Sequence, residues 1–114
     1  MKAVFIELPP FERHRQNYLD DDTFQELQQE LLQNPNTGDL IRGAGGLRKV
    51  RFKDKRRKKG KRGGMRIIYY WWLEGFQFWL FTLYDKDEMD DLTESERQFL
   101  ATMLKSELKA RRAS

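Results

Sequence analysis

The sequence predicts an α+β fold: a small, mostly antiparallel sheet with two N-terminal helices and a C-terminal helix. Three observations predict it. Met65 to Leu73 and Phe76 to Tyr84 are apolar on both alternating faces and are separated by Glu74-Gly75, the two-residue spacing of a β-hairpin. Phe24, Leu27, Leu31 and Leu32 recur at the i, i+3, i+7, i+8 spacing of an amphipathic helix. Thr93 to Glu96 spells a capping box, and the apolar stripe Phe99, Leu100, Met103, Leu104 and Leu108 follows it.

Taken in order, Val4-Phe5-Ile6-Glu7-Leu8 is a β-rich stretch that Pro9-Pro10 ends, because proline cannot continue a central ladder. Phe11 to Leu19 suits a brief helix, and Asp20 to Asp22 supply N-cap carboxylates to the second one, which Asn34-Pro35 stops. Residues 36–46 carry Gly38, Gly43, Gly45 and Gly46 and read as a connection feeding a strand from Leu47 to Phe52. Lys53 to Gly64 is basic and punctuated by glycine, cannot bury apolar surface, and is expected to be a mobile loop. The hairpin supplies the central strands. The last helix carries Lys105, Lys109, Arg111 and Arg112 where they suit the negative end of its dipole. At 114 residues the chain is expected to be a single domain, 1–114, with one core.

Charge is unevenly spread. Twelve of the chain's 22 Lys and Arg fall between Arg48 and Arg66, with one acid, Asp54, although the formal net charge of the whole chain is only +4. Such a segment repels itself and gains little from packing, so its natural counterpart is a polyanion, RNA or DNA. With no cysteine and one histidine, disulfides and thiolate zinc sites are excluded, and no cofactor is expected. The N-terminal apolar run Ala3 to Ile6 is too short for a signal peptide or a membrane span, which predicts a cytoplasmic protein without a membrane partner.

Five motifs, in order and spacing, resemble the RelE/HigB superfamily of type II toxin-antitoxin toxins. They are Gly38-Asp39; Gly43 with Gly45-Gly46-Leu47-Arg48-Lys49-Val50-Arg51; Lys59-Gly60-Lys61-Arg62-Gly63-Gly64; Arg66-Ile67-Ile68-Tyr69-Tyr70; and Tyr84-Asp85-Lys86-Asp87-Glu88. The resemblance spans residues 4–105 and is to the HigB branch. It implies a RelE-like fold and a ribosome-dependent endoribonuclease, an mRNA interferase that needs no metal. Such a toxin enters the ribosomal A site, cuts the exposed mRNA codon and arrests translation until a cognate HigA-like antitoxin binds it.

RNA cleavage needs a base for the 2′-hydroxyl, cations for the phosphorane and an acid for the departing 5′-oxygen. Paired histidines do not exist here. His14, alone in the acidic N-terminal part, reads as a surface or packing residue, although a carboxylate base with His14 as acid is an alternative. Otherwise lysine and arginine fill every role, since like charges lower a lysine's pKa. Arg66 and Arg48 are the preferred transition-state cations because strands fix them, and the family's strand arginine falls on Arg66. Arg48 and Arg51 lie on opposite faces of a regular strand, so at most one of them points at the scissile phosphate. Tyr84 and Lys86, two apart, face one side while the chain stays extended and bring together a ring and a proton-transfer amine. They match the family's active-site edge, although Asp85 replaces its commoner glycine.

Lys49, Arg51, Lys53, Lys55, Arg56, Arg57, Lys58, Lys59, Lys61 and Arg62 are expected to grip ribosomal RNA phosphates, which adds affinity without fixed geometry. Trp71, Trp72, Phe78, Trp79 and Phe81 read as core, with Trp71 or Trp72 as the exceptions free to stack bases. The competing function is a non-catalytic RNA- or DNA-binding module using the same basic surface. An acidic antitoxin facing Arg48 to Arg66 is the expected protein partner.

Overall fold

A computed structural model describes residues 2–54, 64–86 and 91–112. The described chain runs β1 (Val4–Glu7), α1 (Pro9–Tyr18), α2 (Asp21–Gln33), β2 (Asp39–Leu40), β3 (Arg48–Phe52), β4 (Met65–Trp72), β5 (Gln77–Asp85) and α3 (Glu94–Arg112). One five-stranded sheet has the order β1-β5-β4-β3-β2, antiparallel except that β1 pairs with β5 in parallel. The α+β class and the placement of β4 and β5 inside the sheet agree with the sequence reading.

Local chemistry accounts for the boundaries. Pro9 and Pro10 both end β1 and open α1, where their missing N–H groups need no partner, so the helix begins ahead of the expected Phe11. Asp20 caps α2 by accepting from the Thr23 amide at 2.7 Å. The capping box at α3 closes both ways: the Glu96 amide donates to Thr93 Oγ1 at 3.1 Å and the Thr93 amide to Glu96 Oε1 at 2.8 Å.

Two details differ from expectation. The glycine-rich connection contains a two-residue strand, β2, paired with the start of β3 at Arg48 and Lys49, and no apolar pattern announces it. The β4–β5 turn is a single 3-10 turn, Leu73–Gly75, followed by Phe76 in the left-handed region at φ 50°, rather than a two-residue hairpin loop. Here the close approach of Trp72 dictates Gly75: a Cβ at Gly75 would stand 2.3 Å from the indole ring.

Both faces of the sheet are covered. Met65, Ile67 and Tyr69 of β4 join Val50, Phe52, Phe78, Leu80 and Leu83 against Phe11, Leu19, Leu27 and Leu31 of the N-terminal helices and their junction. Ile68, Trp79, Phe81 and Tyr84 face the other way and pack with Leu92, Leu100 and Leu104 at α3. This is why β4 and β5 lack hydrophobic alternation: each side meets a helical layer. Trp79, Phe78 and Phe81 are fully buried, whereas Trp71 and Trp72 are only partly so. Among the described residues no helix is long and apolar enough to cross a membrane.

Candidate functional site

Strand parity sorts the basic residues. Val50 and Phe52 point into the layer beneath α1 and α2, so Lys49 and Arg51, one position out of phase, point toward the α3 side. On β4 the same side carries Arg66 and Ile68, and on β5 Tyr84. The registers then align Arg51 opposite Arg66 and Arg66 opposite Tyr84, producing one row, Arg51, Arg66, Tyr84, across three adjacent strands. Two guanidinium side chains directly opposite each other repel.

The row's members differ in freedom. Arg66 is only 5% exposed, fixed where β4 begins, while Arg51 is exposed and can swing. Tyr84 is also 5% exposed; its ring packs in the core against α3, and its hydroxyl has no hydrogen-bond partner among the described residues. Burial pushes the Tyr84 pKa up to about 12, the Asp91 and Glu96 charges add to the rise, and Arg66 opposes it. At neutral pH the phenol therefore keeps its proton and acts as a donor. This buried ring is not a stacking surface.

Lys49 flanks the row, and its ammonium meets Asp91 Oδ1 at 3.2 Å, tying β3 to the approach to α3. Burial disfavours the Asp91 carboxylate, but the Leu92 amide, Lys49 and Arg97 outweigh it and hold its pKa below the usual value. Lys86 follows β5 in a turn, outside the extended stretch, with its amide bonded to the Gly64 carbonyl at 3.2 Å.

Arg48 is placed elsewhere. It shares the face of Val50 and Phe52, and its guanidinium donates to the Gly38 carbonyl at 2.7 Å and the Asn36 carbonyl at 3.3 Å. The Tyr69 hydroxyl donates to the Pro35 carbonyl at 2.7 Å and accepts from the Gly38 amide at 3.0 Å, so Arg48 and Tyr69 together clamp the segment after α2. The structure does not bring Arg48 to Arg66 and Tyr84. Arg51 occupies that position, and the apolar pair Val50 and Phe52 is the sequence signal that identifies its face.

Lys53 pairs with Glu26 of α2 at 3.0 Å. Lys55, Arg56, Arg57, Lys58, Lys59, Lys61 and Arg62, the expected phosphate grip, lie outside the described residues, as do Asp87 and Glu88. Asp54, the one acid of the basic segment, is fully buried. His14 lines a groove with Tyr84 and Glu96, a proximity that helix periodicity alone could not foretell. Among the described residues no three His, Asp or Glu side chains come together as a metal site.

A small α+β scaffold carrying a cationic row on one sheet face, roofed by its last helix, is the class that fold and site define. Comparison with known protein families finds no match. Among solved structures, a double arginine-to-alanine mutant of the Escherichia coli toxin RelE in the free state matches with a TM-score of 0.54 and 15% sequence identity, covering 79% of this chain and 90% of that one. The two share a fold, and the chain is RelE-like in architecture.

Proposed function

We propose that this protein is a ribosome-dependent endoribonuclease toxin of the RelE-like superfamily, in its HigB-like branch, cleaving mRNA in the ribosomal A site. The observation that carries it is the row Arg51, Arg66, Tyr84: two opposed cations and a protonated phenol on one sheet face of a RelE-like fold. In the reaction, the 2′-oxygen attacks the adjacent phosphorus and the bond to the 5′-oxygen breaks, giving a cyclic phosphate and a free 5′-hydroxyl. Arg66, rigid, and Arg51, adjustable, hold the phosphate oxygens as negative charge grows. Tyr84 donates its hydroxyl proton in a hydrogen bond to the developing oxyanion. Lys86, just after β5, is the proton-transfer amine, taking the 2′-hydroxyl proton and passing it to the departing 5′-oxygen, and Arg48 keeps the neighbouring loop in place.

Dependence on the ribosome follows from the freedom of these cations. Arg51 is exposed and Lys86 lies in a turn, so neither imposes in-line geometry on a free strand of RNA. Lys49, Lys53 and the basic residues from Lys55 to Arg62 supply the grip on ribosomal RNA, and a HigA-like acidic antitoxin neutralises the toxin by covering the same face in the cytoplasm. The decisive experiment adds purified protein to a translating extract and maps mRNA 5′ ends. Cuts within coding sequence that vanish without ribosomes are the expected result. Efficient cleavage of naked RNA, or binding without any cleavage, overturns the proposal, the second outcome in favour of a non-catalytic nucleic-acid-binding module.

A further inference from the structure

Beside the cationic row, and sharing Tyr84 with it, lies a groove of about 490 Å³ bounded by α1, the end of β5 and the first turns of α3. Its origin is topological. β1 pairs with β5 only from Gln77 to Leu80, so among the described residues no strand flanks the last part of β5 on that side, and helices stand there instead. His14 and Tyr18, one helical turn apart on α1, form one wall. Phe99, 63% exposed on α3, forms the other.

The polar groups at this groove are unusual for a packing defect. The buried Tyr84 hydroxyl lacks a partner among the described residues, which costs stability unless something occupies the groove beside it. Glu96 spends Oε1 on the Thr93 amide and keeps Oε2 for another donor. Aromatic walls and two oxygen acceptors, in a volume typical of small-ligand sites, match the two faces and the amine-bearing edge of a heterocyclic base. Tyr84 belongs both to the groove and to the row, so the two adjoin at this residue.

We infer that the groove seats a nucleobase of single-stranded RNA adjoining the scissile phosphate. This rests on the nuclease reading and deepens it, by making His14, Tyr18, Phe99 and Glu96 the base-reading side of the site. The base stacks against the aromatic walls, and the Tyr84 hydroxyl oxygen, its proton directed to the phosphate, and Glu96 Oε2 both accept from base N–H groups. Two acceptors favour bases with an exocyclic amine, which carries two N–H donors, over uracil, which offers only its N3–H.

The test titrates the protein, at low salt, into hexaribonucleotides bearing a single 2-aminopurine, whose fluorescence is quenched on stacking. Wild-type protein is expected to quench the probe. Phe99→Ala removes an exposed wall and Ser95→Leu narrows the groove at an exposed position, so neither touches the core, and circular dichroism checks that both fold. Each is expected to weaken the quenching complex roughly tenfold, the range of one base–aromatic stack. Quenching that persists unchanged in both variants overturns the inference. So does wild-type binding without quenching, the result for a groove shaped to take a peptide. Mapping of mRNA ends is scored separately: quenching without cleavage retains the groove and removes the nuclease reading, and cleavage without quenching does the reverse.

Discussion

At the scale of single residues, the proposed function sets activity against stability at Tyr84. Its hydroxyl is buried and unpartnered among the described residues, so Tyr84→Phe removes a polar group that folding had to desolvate. The variant should be at least as stable as the parent near pH 7, by as much as about 1–3 kcal/mol in urea denaturation, while losing cleavage in a translating extract. An equal fall in both quantities would make Tyr84 a packing residue only. The alkaline limb supplies an independent sign. With the folded pKa raised to about 12 from the ordinary 10.0 of a tyrosine, the unfolded chain releases the Tyr84 proton first. The protonated form's contribution is complete below pH 10 and is lost as pH rises toward 12, on the order of 2–3 kcal/mol. Tyr84→Phe should flatten that part of the decline. The two strand arginines separate in the same manner. Arg51→Ala should depress cleavage at unchanged stability because Arg51 is exposed, whereas Arg48→Ala removes two bonds to loop carbonyls and should cost about 1–3 kcal/mol. A variant of Arg48 that is fully stable yet inactive would return that residue to the chemistry.

At the scale of elements, the segment after α2 shows how backbone approach, rather than hydrophobicity, sets local structure. A Cβ on Gly38 would stand 2.9 Å from the Tyr69 ring and 3.0 Å from the Lys49 backbone, and neither can retreat, since Tyr69 is fully buried and Lys49 is laddered in the sheet. Gly38→Ala should therefore destabilise the protein by roughly 1–3 kcal/mol, as overpacking does, with hydrogen exchange rising first at Gly38 and Ile41. An exchange pattern unchanged there would show that the loop yields freely. Helices and central strands were legible in the sequence because caps and periodicity are local: the Asp20 cap, the Thr93–Glu96 box and the apolar runs of β4 and β5 each act within a few residues. β2 was not, because two exposed residues, Asp39 and Leu40, take their conformation from pairing with β3. The turn at Leu73–Gly75 was not, because Trp72 folds over Gly75 and leaves Phe76 in the left-handed region. In the candidate site, Arg66 and Tyr84 were legible as strand residues near the hairpin's open end. The exchange of Arg48 for Arg51 needed only the parity of Val50 and Phe52 to be weighed. The approach of His14 and Glu96 to Tyr84 depends on how α1 and α3 straddle β5, a tertiary relation that no local pattern encodes.

At the scale of the whole molecule, the proposed function assigns gripping and cutting to different parts of the charge distribution. Two described basic residues are paired: Lys49 beside the row with Asp91, and Lys53, past the end of β3, with Glu26 of α2, both in solvent-accessible ion pairs of small net worth. A phosphate backbone can displace such acids at little cost, so under the proposed function Lys49 and Lys53 remain available to RNA. The residues from Lys55 to Arg62 add seven further cations in eight positions with no intervening acid, and each phosphate they neutralise releases counterions. The logarithm of ribosome affinity should accordingly fall steeply with the logarithm of salt concentration. Replacing Arg56, Arg57 and Lys58 by Gln should reduce that slope by about 2, near 0.7 for each phosphate no longer neutralised, and weaken binding gradually. At saturating ribosomes the same triple variant should still cut mRNA at the wild-type rate, because none of the three belongs to the Arg51, Arg66, Tyr84 row. Arg66→Gln should do the opposite, changing the slope by the share of a single phosphate at most while removing cleavage. Sedimentation of the variants with ribosomes across a salt series, alongside single-turnover mapping of mRNA ends, measures both quantities on the same samples. If the triple variant loses cleavage at full occupancy with its salt slope intact, the basic segment takes part in the chemistry, and the division between a gripping loop and a cutting row fails.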